Sequence, residues 1–152
     1  MSTDPPFGTQ IIGQTEKALN AILDRELTGT GLTEPQWVTL TIAVMSGPTV
    51  DSVALVSRVA GALKISDAQA RARIDELAAS GLLEANTDRA VSVTETGSSL
   101  QGRIRATVTE ITQRLWGDLP PDDLRAAGRV LATVLDRANT ELARANKTQS
   151  RR

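Results

Sequence analysis

Val59-Ala60-Gly61-Ala62-Leu63-Lys64-Ile65-Ser66-Asp67-Ala68-Gln69-Ala70 is the stretch from which the rest of the chain can be read. Two helices that cross closely need a small residue at the crossing, and Ala60 supplies it. The turn between them needs an apolar residue, here Ile65, and the second helix needs a cap, here Ser66. Ser66-Asp67-Ala68-Gln69 also has capping-box spacing, with Gln69 able to reach back to the cap. Lys64 stands where glycine commonly relieves a positive φ, at a cost on the order of 1 kcal/mol. The pattern fits a helix-turn-helix. It also fits a pair of packed helices in an interaction domain.

Working outward, apolar positions recur at helical spacing on both sides. Before the motif, Ile11, Ile12, Leu19, Ile22 and Leu23 mark a helix that the Thr28-Gly29-Thr30-Gly31 run stops. Thr33-Glu34-Pro35-Gln36 is another capping box, opening a helix through Trp37, Leu40, Val44 and Met45 to Ser46-Gly47-Pro48. Asp51 caps the helix that carries Leu55, Val56 and Val59. The helix after the turn places Ala70, Ile74 and Leu77 inward and closes at Gly81. The period then changes to alternation, and Leu82–Ala85 and Val91–Thr94 read as two short strands around a polar turn. Two longer helices follow, one lined by Leu100, Ile104, Val108, Ile111 and Leu115, the other opened by Pro120-Pro121-Asp122-Asp123. The second carries the stripe Leu124, Ala127, Leu131, Val134, Leu135, Ala138 and Leu142. The basic tail from about Ala145 is expected to fray. The fold class is therefore mainly α (α+β): a winged helix-turn-helix with a two-stranded β wing, flanked by N- and C-terminal helices.

The chain has 152 residues, 17 Lys+Arg against 18 Asp+Glu, and neither His nor Cys. At about 150 residues per domain this predicts a single domain over 1–152. The missing residue types exclude Cys/His zinc sites, disulfides, thiol chemistry and imidazole bases. With no nucleophile–base pair and no glycine-rich phosphate loop, neither an enzyme nor a cofactor is expected. No apolar run approaches the roughly 20 residues of a membrane span, and the polar start does not read as a signal peptide, so a cytoplasmic location is expected. Charge is uneven: residues 1–46 carry −3, residues 47–97 carry −2 and residues 98–152 carry +4. Any nucleic-acid partner must then be held by a local basic patch.

The order of these signals resembles the MarR family of bacterial winged-helix regulators. Leu77-Ala78-Ala79-Ser80-Gly81-Leu82, the Asp88-Arg89 turn and Thr94-Glu95-Thr96-Gly97 follow the helix-turn-helix at that family's spacing. The likeness covers roughly residues 8–145. It implies a homodimer knitted by helices at about 8–30 and 98–145, around a DNA-binding unit at about 33–97. It further implies a repressor that leaves a pseudo-palindromic operator when a small effector binds. The apolar stripes at the chain ends independently predict a homodimer, because they lie outside what a winged-helix core can cover. The sequence departs from the family in its short wing, which has one arginine instead of two.

Within this frame the expected DNA contacts are Ser66, Gln69, Arg71 and Arg73 on the second helix of the motif. Gln69 is placed to read an adenine, and Arg89 on the wing to enter the minor groove. Solvated faces, or a local Asp88–Arg89 pair, are the plain alternatives for the arginines. Asp75 and Glu76 read as outward-facing. Trp37 and Trp116 are candidates to stack on an aromatic or hydrophobic effector, against the plainer reading that both are core. The competing function is a winged-helix dimer used as a protein-interaction module with weak or no specific DNA binding. The acidic balance of residues 47–97 and the alanine-rich recognition face motivate it.

Overall fold

A computed structural model describes residues 4–86 and 89–150, the last six of these by backbone alone. The chain divides into two compact units, residues 1–110 and 111–152. In the first unit, α1 (Thr9–Leu27) ends where Gly29 and Gly31 take φ of 85° and 83°. Those angles are open to glycine and strained for other residues, so the chain turns there. The capping box of α2 (Glu34–Met45) forms as its spacing predicts: Thr33 N–H donates to Gln36 Oε1 at 3.0 Å and Gln36 N–H to Thr33 Oγ1 at 3.4 Å. Asp51 accepts from Ala54 N–H at 3.0 Å and caps α3 (Ser52–Leu63). The Ser66 box opens α4 (Asp67–Ala79).

The sheet extends one expectation. The expected two-stranded wing forms from β2 (Leu83–Ala85) and β3 (Ala90–Val93), and a third strand, β1 (Thr49–Asp51), which the sequence did not predict, joins it in an antiparallel sheet of order β1-β3-β2. Val50 lies opposite Val91, and Glu84 opposite Ser92. Three residues of β1 are too few to show alternation in a sequence. Only the pairing with β3 and the burial of Val50 identify the strand.

The core of this unit is built on the three helices around the turn. Leu40 and Ala43 of α2, Leu55 and Val59 of α3, and Ala70 and Leu77 of α4 are at most 1% exposed. Each such leucine is worth roughly 1.5–3 kcal/mol of burial. Leu82, Leu83 and Val91 extend the cluster onto the sheet, and Ile104 brings in α5 (Glu95–Trp116). That helix starts earlier than the apolar stripe suggests, because Thr94 Oγ1 accepts from Gly97 N–H at 3.0 Å and donates to Gly81 O at 2.7 Å. The second unit takes the end of α5 and all of α6 (Pro121–Ser150). The helical backbone continues to Ser150, whereas the sequence predicted fraying from about Ala145. Asp122 and Asp123 sit in its first turn, where the helix dipole favours them, and Asp122 pairs with Arg125.

Gly97 is where α5 meets the turn that follows α4. A Cβ built on it would lie 2.1 Å from the backbone oxygen of Leu82, whereas one on Gly102 meets nothing within 4 Å. Gly97→Ala is therefore expected to lower the unfolding free energy by about 3 kcal/mol, since a backbone carbonyl cannot step aside. Gly102→Ala, on the same helix, should be neutral or stabilising by up to about 1 kcal/mol. Urea denaturation of the two variants checks both.

Candidate nucleic-acid interface

The turn between α3 and α4 has the geometry that its sequence calls for. Lys64 is left-handed at φ 59°, ψ 45°, and its N–H bonds back to Ala60 O. Ile65 N–H also reaches Ala60 O, at 3.1 Å, so one carbonyl closes the turn. The Lys64 ammonium donates to Gly61 O at 2.7 Å, where a cation suits the helix C-terminus. Ile65 packs against the core, and Ala60 is buried at the crossing.

On α4, Ser66, Gln69 and Arg71 are exposed. Ser66 N–H donates to Gln69 Oε1 at 3.0 Å, and Gln69 N–H to Ser66 Oγ at 3.1 Å. Two of the expected base contacts are thus already employed in capping the helix. Reading adenine with both ends of the Gln69 amide requires its oxygen to leave the box, whereas donation from Nε2 alone does not. Arg71 projects from the exposed side of the same turns.

Arg73 is placed differently from Arg71. It is half-buried, with Nη2 donating to Glu76 Oε2 at 3.1 Å and Nε 2.9 Å from Oε1 without the alignment of a hydrogen bond. Glu76 is only partly turned to solvent, where its helical position suggested a fully outward side chain. It lies against α2, where Gln36 Nε2 donates to Oε1 at 3.0 Å. Asp75 does point outward. The Arg73–Glu76 spacing is visible in sequence, but the bond to Gln36, 40 residues away, is not.

Arg89 is exposed and, like Lys64, takes a positive φ, at 58°. Its carbonyl accepts from Ser52 N–H at 2.7 Å, satisfying one of the free donors at the start of α3. The base of the wing is thereby tied to the helix-turn-helix. Asp88, the expected partner of Arg89, lies outside the described residues. Arg58 on α3 adds an exposed cation, donating to Ser46 Oγ at 2.7 Å.

The tryptophans differ from each other. Trp37 is 9% exposed and belongs to the core, while Trp116 is 41% exposed. A cavity of about 170 Å³ in the first unit is lined by Glu26, Thr30, Leu100, Arg103, Ile104 and Thr107, and by neither tryptophan. Among the described residues no cluster of carboxylates suits a metal ion, and no helix is long and apolar enough to cross a membrane.

Against known proteins, no family model and no curated sequence matches the chain. Solved structures do. A MarR family transcriptional regulator from Rhodococcus sp. RHA1 superposes with a TM-score of 0.70 at 19% identity, covering 82% of this chain and 91% of that one. CouR from Rhodococcus jostii RHA1, bound to p-coumaroyl-CoA, also gives 0.70, at 18% identity over 82% and 89%. The Mycobacterium tuberculosis MarR family protein Rv2887, in complex with DNA, gives 0.64 at 21% identity over 86% and 98%. The chain has the winged-helix fold of MarR family regulators.

The capping box makes Gln69 a residue with two separable effects. Gln69→Ala is expected to lower folding stability by about 1 kcal/mol through the lost cap. Gln69→Glu keeps the box and adds a charge favoured at a helix N-terminus, so its stability should match or exceed that of the parent. Thermal and urea unfolding of both proteins test the assignment.

Proposed function

We propose that the protein is a dimeric DNA-binding transcriptional regulator of the cytoplasm, a repressor released from its operator by a small aromatic or hydrophobic molecule. The observation that carries this reading is the presentation of α4: capped at Ser66, set by the left-handed turn at Lys64, and showing Gln69 and Arg71 to solvent. Arg89 stands on a wing whose base is bonded to α3. A protein of the same fold occurs in complex with DNA, and another with p-coumaroyl-CoA. In this reading Ser66, Gln69 and Arg71 meet base edges and phosphates of the major groove, and Arg89 meets the minor groove.

The dimer is argued from surface chemistry. On α6, Leu131, Val134, Leu135 and Leu142 are 38–57% exposed along one stripe, and Phe7 and Ile11 at the start of α1 are exposed as well. Such a row of side chains marks an interface. Two copies related by a twofold axis would place their recognition helices in successive major grooves, reading half-sites about 10 base pairs apart. For the effector, burial of Trp37 takes that ring out of play, and Trp116 and Phe7 are the exposed aromatic rings among the described residues. The 170 Å³ cavity is smaller than a typical ligand pocket of at least about 300 Å³, so it would accept one end of a molecule, with Arg103 suited to an acidic group. Effector binding acts by favouring a dimer whose recognition helices no longer match the groove spacing.

Selection of bound DNA from a random pool, at physiological salt, tests the function directly. A pseudo-palindromic sequence is the expected product. Failure to enrich any sequence would favour the interaction module, to which the −2 charge of residues 47–97 and the small Ala68 and Ala72 point. On the selected operator, Arg89→Ala should weaken specific and non-specific binding alike and flatten the salt dependence by about one unit per subunit. Unchanged affinity at two salt concentrations would remove the wing from the interface. Leu135→Asp should convert the dimer to monomer in light scattering at micromolar concentration, because it places a charge in an apolar interface.

A further inference from the structure

We propose that Gln36 and Glu76 are positioning residues for DNA recognition: Gln36, on the capped first turn of α2, holds Glu76, and Glu76 holds the Arg73 guanidinium at a fixed point on the flank of α4. The inference rests on the DNA-binding reading above and concerns how that site becomes selective. Each link is a direct contact. The Gln36 amide is used at both ends, its oxygen accepting from Thr33 N–H at 3.0 Å and its nitrogen donating to Glu76 Oε1 at 3.0 Å. The amide is therefore oriented by the α2 cap before it meets α4. Both oxygens of Glu76 are engaged, one by Gln36 and one by Arg73.

The energetic logic of the pair is unusual for a DNA-binding surface. A carboxylate beside Arg73 subtracts from its attraction to phosphate, so the arrangement lowers non-specific affinity. What it adds is geometry. A free arginine loses the freedom of a long side chain when it binds, whereas a held one has already lost it. A guanidinium has five N–H donors, and only Nη2 hydrogen-bonds Glu76, so others remain to meet a phosphate at one set position. Phosphate contacts of that kind fix register, and register decides which bases the exposed face of α4 meets. The clamp also ties recognition to α2, so a displacement of the first turn of α2 would release Arg73.

The sequence offers variants that separate the clamp from the cap. Gln36→Glu preserves the capping box, because glutamate serves equally at its third position, but sets a carboxylate against Glu76. Glu76→Gln removes the charge that restrains Arg73. The measured quantity is the ratio of affinity for the selected operator to affinity for random duplex, with urea unfolding run in parallel. Both single variants are expected to lower that ratio about tenfold, and Glu76→Gln is expected to do so while binding random duplex more tightly than the parent. A merely structural role would not produce that rise. The double variant Gln36→Glu/Glu76→Gln exchanges donor and acceptor, and should bring the ratio back to within about threefold of the parent. If the parent selects an operator and the ratio is unchanged in both single variants, the positioning role is overturned and the DNA-binding reading stands. If the parent selects no sequence, both fall. Should Gln36→Glu fail to fold, the ratio and the random-duplex affinity of Glu76→Gln decide the matter alone.

Discussion

The left-handed residue at Lys64 is the constraint on which the rest of the winged unit depends. With φ at 59° the chain leaves α3 through a single-residue reversal and enters α4 three residues later, at Asp67. This short connection brings Val59, Ala60, Ala70 and Ile74 into one buried cluster. The strain of a side chain in that conformation is on the order of 1 kcal/mol. It is small beside the burial of those residues, and the bond from the lysine ammonium to Gly61 O partly offsets it. A local cost is thus maintained by long-range packing, which makes the angle between the two helices a property of the core.

The second strained residue follows the same logic at the other side of the unit. Arg89 takes φ 58° just before β3, and its carbonyl is held by the first N–H of α3. The wing is therefore anchored by main chain at its base as well as by pairing to β1 and β2. Both left-handed, non-glycine positions among the described residues carry cations. One cation is turned back onto its own helix, while the other projects to solvent. The difference shows why a basic residue near a turn is not, by itself, a nucleic-acid contact.

Local signals in the sequence were the most legible. Thr33, Asp51 and Ser66 cap the helices that their spacing assigns to them, because a cap is decided within four residues. The turn at Lys64 was legible from its neighbours too, although the packing of the two helices maintains its positive φ. The inward face of α4 followed from its 3.6-residue period. What escaped was decided at a distance. β1 exists because β3 offers a partner 40 residues away, and three residues cannot display a period. Glu76 turns toward α2 because Gln36 waits there, although helical phase alone sends it to solvent. Gln69 was legible both as a cap and as a reader of bases, and only the observed bonds reveal that its oxygen is already committed. The caps and the exposed positions of α4 are thus individually visible in sequence, while the couplings among their side chains are not.

The contact between Gly97 and Leu82 gives α5 a mechanical character. Leu82 follows α4 and leads into β2, and its carbonyl oxygen occupies the space that a side chain at Gly97 would need. Thr94 adds a hydrogen bond to Gly81 O immediately before the helix begins. The start of α5 therefore bears on the turn that ends α4 with almost no slack. From Gly97 to Glu110 the helix runs about 20 Å at 1.5 Å per residue. A tilt of about 6° around that bearing carries the far end of this stretch by about 2 Å. Because the bearing is backbone on backbone, it has no rotamer with which to absorb such a tilt. The joint acts as a fulcrum: a small angular change where α5 meets the end of α4 and a translation farther along this stretch of α5 are the same motion, read at two radii.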